Sequence, residues 1–152
     1  MTLARRFDGY GPVRGSLGPR REFKITLGLR AGYGPRGRIY DLEEAIRAAH
    51  HWMIGRAHRG ERFLTGMFAR GEVLYARSAR KDELHADREP VAMFTGEALP
   101  QGRASLADAE VEALLNELAA EMARTLEQEE VHIAYRDRTW TLRRARRTVS
   151  KS

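Results

Sequence analysis

The sequence predicts an α+β fold, a ferredoxin-like βαββαβ sandwich with an antiparallel sheet and two helices on one face. Three observations lead there. The run "EFKITLGL" (22–29) alternates apolar and polar residues, as a half-buried strand does. Two stripes of helical period follow, one from Asp41 and one from Ser105. Strand-like runs lie between and after them, which gives the order strand, helix, two or three strands, helix, strand.

In the first strand Phe23, Ile25, Leu27 and Leu29 share the face turned to the core. Asp41 should cap the first helix, with Glu44 three residues on completing a capping box. Leu42, Ala45, Ile46, Ala49, Met53 and Ala57 form its inward stripe, Trp52 lies beside it, and Gly60 ends it. "RFLTGMFARGEVLYAR" (62–77) reads as two β segments joined by a turn at 69–72. "SARKDELHADRE" (78–89) reads as a charged surface loop. "PVAMFTGEAL" (90–99) is a further strand, with Pro90 allowed at its first position. The second helix carries Val111, Leu114, Leu115, Leu118, Ala119, Met122 and Leu126 on one face. Val131, Ile133 and Tyr135 then share a parity that Trp140 and Leu142 reverse, so a hairpin should turn near Asp137-Arg138. The division expected is a basic Gly/Pro-rich arm (1–21), one α+β domain (22–142) with extra hairpin strands, and a basic tail (143–152).

A length of 152 residues suits one domain with a proper core. The absence of cysteine excludes disulfides, zinc–thiolate sites and thiol catalysis. No apolar run is long enough for a transmembrane helix, so a cytoplasmic protein without membrane contact is expected. The net charge of +6 is unevenly spread: residues 1–21 carry +4 and residues 136–152 carry +6, leaving −4 for the body between them. Arginine supplies 24 of the 27 basic residues, and its planar fork suits phosphate and carboxylate. The basic ends either meet a polyanion or fold back on the acidic body.

"GYGP" occurs at 9–12 and again at 32–35. The second copy opens Gly32-Tyr33-Gly34-Pro35-Arg36-Gly37, a G-x-G-x-x-G pattern between strand and helix. Pro35 interrupts it, and the helix starts too late to present its N–H groups to a pyrophosphate. It also lacks the lysine and hydroxyl residue of a phosphate loop, since Arg38 and Ile39 stand there. What survives is an anion cradle made by Arg30, Tyr33, Arg36 and Arg38. The five histidines lack metal-chelating spacing, and no metal or other cofactor is expected.

These readings favour a non-enzymatic binding or assembly protein, a homo-oligomer that takes a phosphorylated small ligand or an acidic protein surface. One alternative is a nucleic-acid-binding accessory protein using Trp140, Arg143, Arg144, Arg146 and Arg147, where arginines lie beside an aromatic platform. The other is a small enzyme with a site between subunits built on His51, His58 or Tyr33.

Overall fold

The computed structural model describes residues 8–32, 36–80, 83–98 and 105–146, with the backbone alone at 77–80 and 83–86. The chain runs β1 (Glu22–Gly28), α1 (Leu42–His58), β2 (Met67–Arg80), β3 (Glu83–Glu97), α2 (Asp108–Thr125), β4 (Glu130–Tyr135) and β5 (Arg138–Arg143). The strands form one sheet in the order β2-β3-β1-β4-β5, with every neighbouring pair antiparallel. The first four strands therefore have the ferredoxin-like arrangement, and β5 extends its edge.

Alternation along β1 decides which face is buried. Phe23, Ile25 and Leu27 point to the helices and are almost fully buried. Ile25 pairs across the sheet with Phe94 on one side and Ile133 on the other. The Phe94 ring lies 5.7 Å from Phe23 and 4.9 Å from Phe68, the tilted packing that aromatic quadrupoles favour. From above, α2 buries Val111, Leu114, Leu115, Leu118, Ala119 and Met122, as its periodicity requires. The stripe of α1 is rotated from the expected one. Ala45, Ala48, Ala49 and Trp52 are buried, whereas Ala57 is exposed. The helix packs against α2 as well as the sheet: Trp52 Nε1 donates to Glu117 at 3.0 Å, and the Arg56 guanidinium reaches the same carboxylate at 2.9 Å.

Capping follows the sequence at α1. The Asp41 side chain accepts from Glu44 N at 3.2 Å, and Glu44 returns the favour to Asp41 N at 3.1 Å. At α2 the cap is Ala107, not Ser105, and only the return bond from Ala107 N to Glu110 forms, at 3.3 Å.

The region 69–89 departs most from expectation. Residues 69–72 are strand, not turn, and of the expected loop at 78–89 the described residues 78–80 and 83–89 are strand too. β2 runs to Arg80, and β3 returns from Glu83 to form one long ribbon. Gly71 sits mid-strand opposite Val91 because Met93 crosses it: a Cβ there would meet Met93 Cε at 2.9 Å. The last hairpin turns as expected, through Arg136 at φ 53°. Tyr135 pairs with Arg138, so two turn residues alone reverse the parity and no bulge is needed.

Among the described residues, no helix covers the other face of the sheet. Its β1 positions are Lys24 and Thr26, and its β2 end exposes Met67 and Val73.

Candidate functional site

The segment between β1 and α1 is a miniature hairpin. Ala31 N donates to Arg38 O at 2.8 Å, Tyr40 N to Leu29 O at 2.7 Å, and Arg30 bridges to Ile39. Two glycines are required. Gly32 has φ +70°, and a Cβ on Gly37 would lie 1.8 Å from Ala31 O, deep inside contact distance. Gly32 ends the outgoing limb, residues 33–35 of the second "GYGP" lie outside the described residues, and α1 begins only after the return limb.

The hairpin is tied down from the far end of the chain. Gly32 N donates to Glu127 O at 3.2 Å. Gln128, the buried polar residue of the core, donates through Nε2 to Arg30 O at 2.8 Å and to Leu126 O at 2.9 Å. Its Oε1 lies where a Cβ on Gly28 would meet it at 2.5 Å. The turn after α2 thus holds the loop after β1.

The charged side chains on this hairpin are all basic, and carboxylates from other elements meet them. Arg30 reaches Glu89 of β3 at 3.2 Å and Gly37 O at 3.4 Å. Arg38 lies over the Tyr40 ring, 4.4 Å from its centroid, and donates to Glu44 at 2.9 Å. The Tyr40 hydroxyl donates to Glu127 at 2.5 Å. That bond to the carboxylate, followed by burial, raises the Tyr40 phenol above its ordinary value. One aromatic ring is thus flanked by two carboxylates and a guanidinium. These groups pair with one another and the ring is only 8% exposed, so a ligand here would have to displace Arg38. Arg36 is exposed at the tip. Tyr33 lies outside the described residues.

Tyr40, Glu89, Glu127 and Gln128 were not singled out from the sequence as site residues. Tyr40 and Glu127 are 87 positions apart, and only the sheet order brings them together.

The other expected residues are elsewhere. Trp140 is half-buried and donates to Asn116 at 2.7 Å. Arg143 pairs with Glu130 at 2.7 Å, and Arg144 with Glu129 at 3.7 Å. Arg146 is exposed, and Arg147 lies outside the described residues. His51 and His58 are exposed on α1.

A separate charged cluster closes the opposite end of the sheet. Asp108, the first residue of α2, accepts from the Tyr135 hydroxyl at 2.5 Å, from Arg21 at 2.8 Å and from Arg136 at 3.0 Å. The Tyr135 bond, then the Arg21 bond, lowers the Asp108 carboxyl to about 2. Arg20 also pairs with Glu22. Among the described residues, Arg20 and Arg21 before β1 and Arg136, Arg143 and Arg144 after β4 are thus turned onto carboxylates of the acidic body.

Among the described residues no cluster of His, Asp or Glu has metal-binding geometry, and no helix is long and apolar enough to cross a membrane.

No family model and no curated protein matches this chain. Solved structures do share its fold. A phage SAM lyase in complex with S-methyl-5'-thioadenosine superposes with a TM-score of 0.59 at 17% identity, covering 88% of this chain and 97% of that one. The apo state of a phage SAM lyase superposes with a TM-score of 0.55 at 13% identity and the same coverage. This likeness corrects the expectation of a non-enzymatic binding or assembly protein: the solved chains that share this α+β arrangement across nearly their whole length are enzymes.

Proposed function

We propose that this protein is an enzyme that cleaves a carbon–sulfur bond in an adenosyl sulfonium such as S-adenosylmethionine. The observation that carries this reading is the superposition, over 88% of the chain, on a lyase that holds S-methyl-5'-thioadenosine. The site lies at the β1–α1 hairpin, where Arg30, Arg36 and Arg38 offer contacts to the substrate.

The substrate's chemistry fits this charge pattern. A sulfonium is a cation with little hydrogen-bonding capacity, and it is held by carboxylates and aromatic faces. Glu44 of α1, Glu127 after α2 and the Tyr40 ring meet beside this hairpin and would supply these once Arg38 turns away from them. The substrate's own α-carboxylate would pair with Arg38 or Arg36, for which the guanidinium fork is suited. Breaking the bond between sulfur and the amino-acid chain sends the bonding pair to sulfur and leaves neutral S-methyl-5'-thioadenosine. The carbon left behind either closes on the substrate's own carboxylate or loses a neighbouring proton to a base. Neither outcome consumes water or a redox equivalent. Glu127, joined to the Tyr40 hydroxyl, is the group placed to manage a proton.

Equilibrium binding tests the placement. S-methyl-5'-thioadenosine should bind the wild type and bind Tyr40→Ala at least tenfold more weakly, while Arg38→Ala should weaken S-adenosylmethionine more than the product, which lacks the carboxylate. Equal binding of both ligands to all three proteins refutes this site.

Self-association through the open sheet face belongs to the same proposal. Met67 (71% exposed) and Val73 (46%) mark an apolar end that a second copy would cover. The mass in solution tests it.

A further inference from the structure

A cleft of about 320 Å³ lies between the end of α2 and the β4–β5 hairpin. The proposed reaction does not use it. Its floor is apolar: Ala120 and Ala123 from α2, Val131 from β4 and Leu142 from β5. Val131 and Ala123 are buried, and Leu142 packs against the core. The volume is at the small end for ligand pockets, so the occupant is small.

The rim selects its charge. Glu129 and Glu130 stand on it beside Arg124, Arg143 and Arg144. Arg143 holds Glu130 at 2.7 Å and Arg124 holds Glu121 at 2.6 Å, which leaves Glu129 and Arg144 as the loosely engaged pair. A simple anion would meet Glu129, and a simple cation would meet Arg144. A molecule carrying both charges on adjacent atoms satisfies each side. The C-terminal end of α2 adds direction, because its carbonyl dipoles favour a cationic group there. Arg144 touches Glu129 only at 3.7 Å, beyond hydrogen-bond length, so its donors can turn to a carboxylate. We propose that this cleft binds a free α-amino acid with a medium-sized apolar side chain. The side chain rests on Ala120, Ala123, Val131 and Leu142. The ammonium lies between Glu129 and the end of α2, and the carboxylate lies on Arg144.

The test uses the full chain with L-leucine and L-methionine as probes, read by calorimetry and thermal unfolding. Saturation at a hundredfold excess over the dissociation constant should raise Tm by about 5–10 °C. Isoamylamine, which lacks the carboxylate, and 4-methyl-2-oxopentanoate, which lacks the ammonium, should each bind at least tenfold more weakly than leucine. Ala120→Trp, which fills the cleft from its half-exposed side, should abolish binding, and Arg144→Ala should weaken it about tenfold. S-methyl-5'-thioadenosine should not compete, which separates this cleft from the hairpin site. The proposal is overturned if neither amino acid binds, if either single-charge analogue binds as well as leucine, or if a folded Ala120→Trp protein binds leucine unchanged.

Discussion

Gln128→Leu should loosen the β1–α1 hairpin and cost the whole fold measurably. Gln128 donates to two carbonyls, Arg30 O and Leu126 O, from a position only 9% exposed. Leucine has similar bulk but no donor, so both oxygens lose that partner. A buried acceptor left without its partner costs about 1–3 kcal/mol. The Arg30 carbonyl is nearer solvent, so the lower part of that range applies to each, for about 2–4 kcal/mol together. For a chain of this size each kcal/mol moves Tm by about 2–4 °C, which predicts a fall of about 4–16 °C. Urea unfolding should show a lower midpoint with an unchanged slope, since the surface exposed on unfolding is the same. Gly28→Ala provides the internal check. Its Cβ would meet Gln128 Oε1 at 2.5 Å, so the wild-type glutamine must move. In the Gln128→Leu background that specific clash is gone, and the two substitutions should be non-additive. A Tm change below about 1 °C for Gln128→Leu, or strict additivity with Gly28→Ala, would refute the idea that this side chain pins the hairpin.

Two further outcomes follow from caps and charges. Asp108→Asn should lower stability at neutral pH, and the deficit should fade as pH falls. The carboxyl sits at about 2 in the folded protein against an ordinary 3.8, so its contribution is complete above about 4 and is lost as pH drops toward 2. Urea midpoints of both proteins between pH 7 and pH 2 check this, and a deficit that persists at pH 2 contradicts it. Asp41→Ala removes one half of the α1 capping box and should cost about 1 kcal/mol, seen as a Tm lower by about 2–4 °C.

Much of the framework was legible because it is written in local periodicity. The β1 alternation and the α2 stripe name their buried residues directly, and Asp41 with Glu44 marks the start of α1. The stripe of α1 was misread by a fraction of a turn. Helix–helix packing through Trp52 and Glu117 draws Ala48 inward, and no local pattern records a partner 65 residues away. The β2–β3 ribbon was read as turn and loop for a related reason. Where it extends past the helices, Glu72, Leu74 and Asp87 are all exposed, so charge does not mark one side and alternation vanishes. Gly71 looked like a turn because a glycine that admits Met93 from across the sheet has the same letter as one that reverses the chain.

The hairpin site was half visible. Glycines and arginines drew attention to residues 30–38, but the carboxylates that balance them, Glu89 and Glu127, arrive from β3 and from the end of α2. Charge counting did anticipate that the flanking arginines could fold back on an acidic body, and Arg20, Arg21, Arg136, Arg143 and Arg144 do so. The proposal of an enzyme in place of a binding module lay beyond any residue pattern, because it rests on a fold shared at 17% identity.

Incubating the purified protein with S-adenosylmethionine and measuring S-methyl-5'-thioadenosine by mass spectrometry tests the proposed lyase activity outright. Product should accumulate in proportion to protein and time, with a loss of at least tenfold in the Glu127→Gln variant. Product formation no faster than in buffer alone, with S-methyl-5'-thioadenosine also failing to bind, would contradict it.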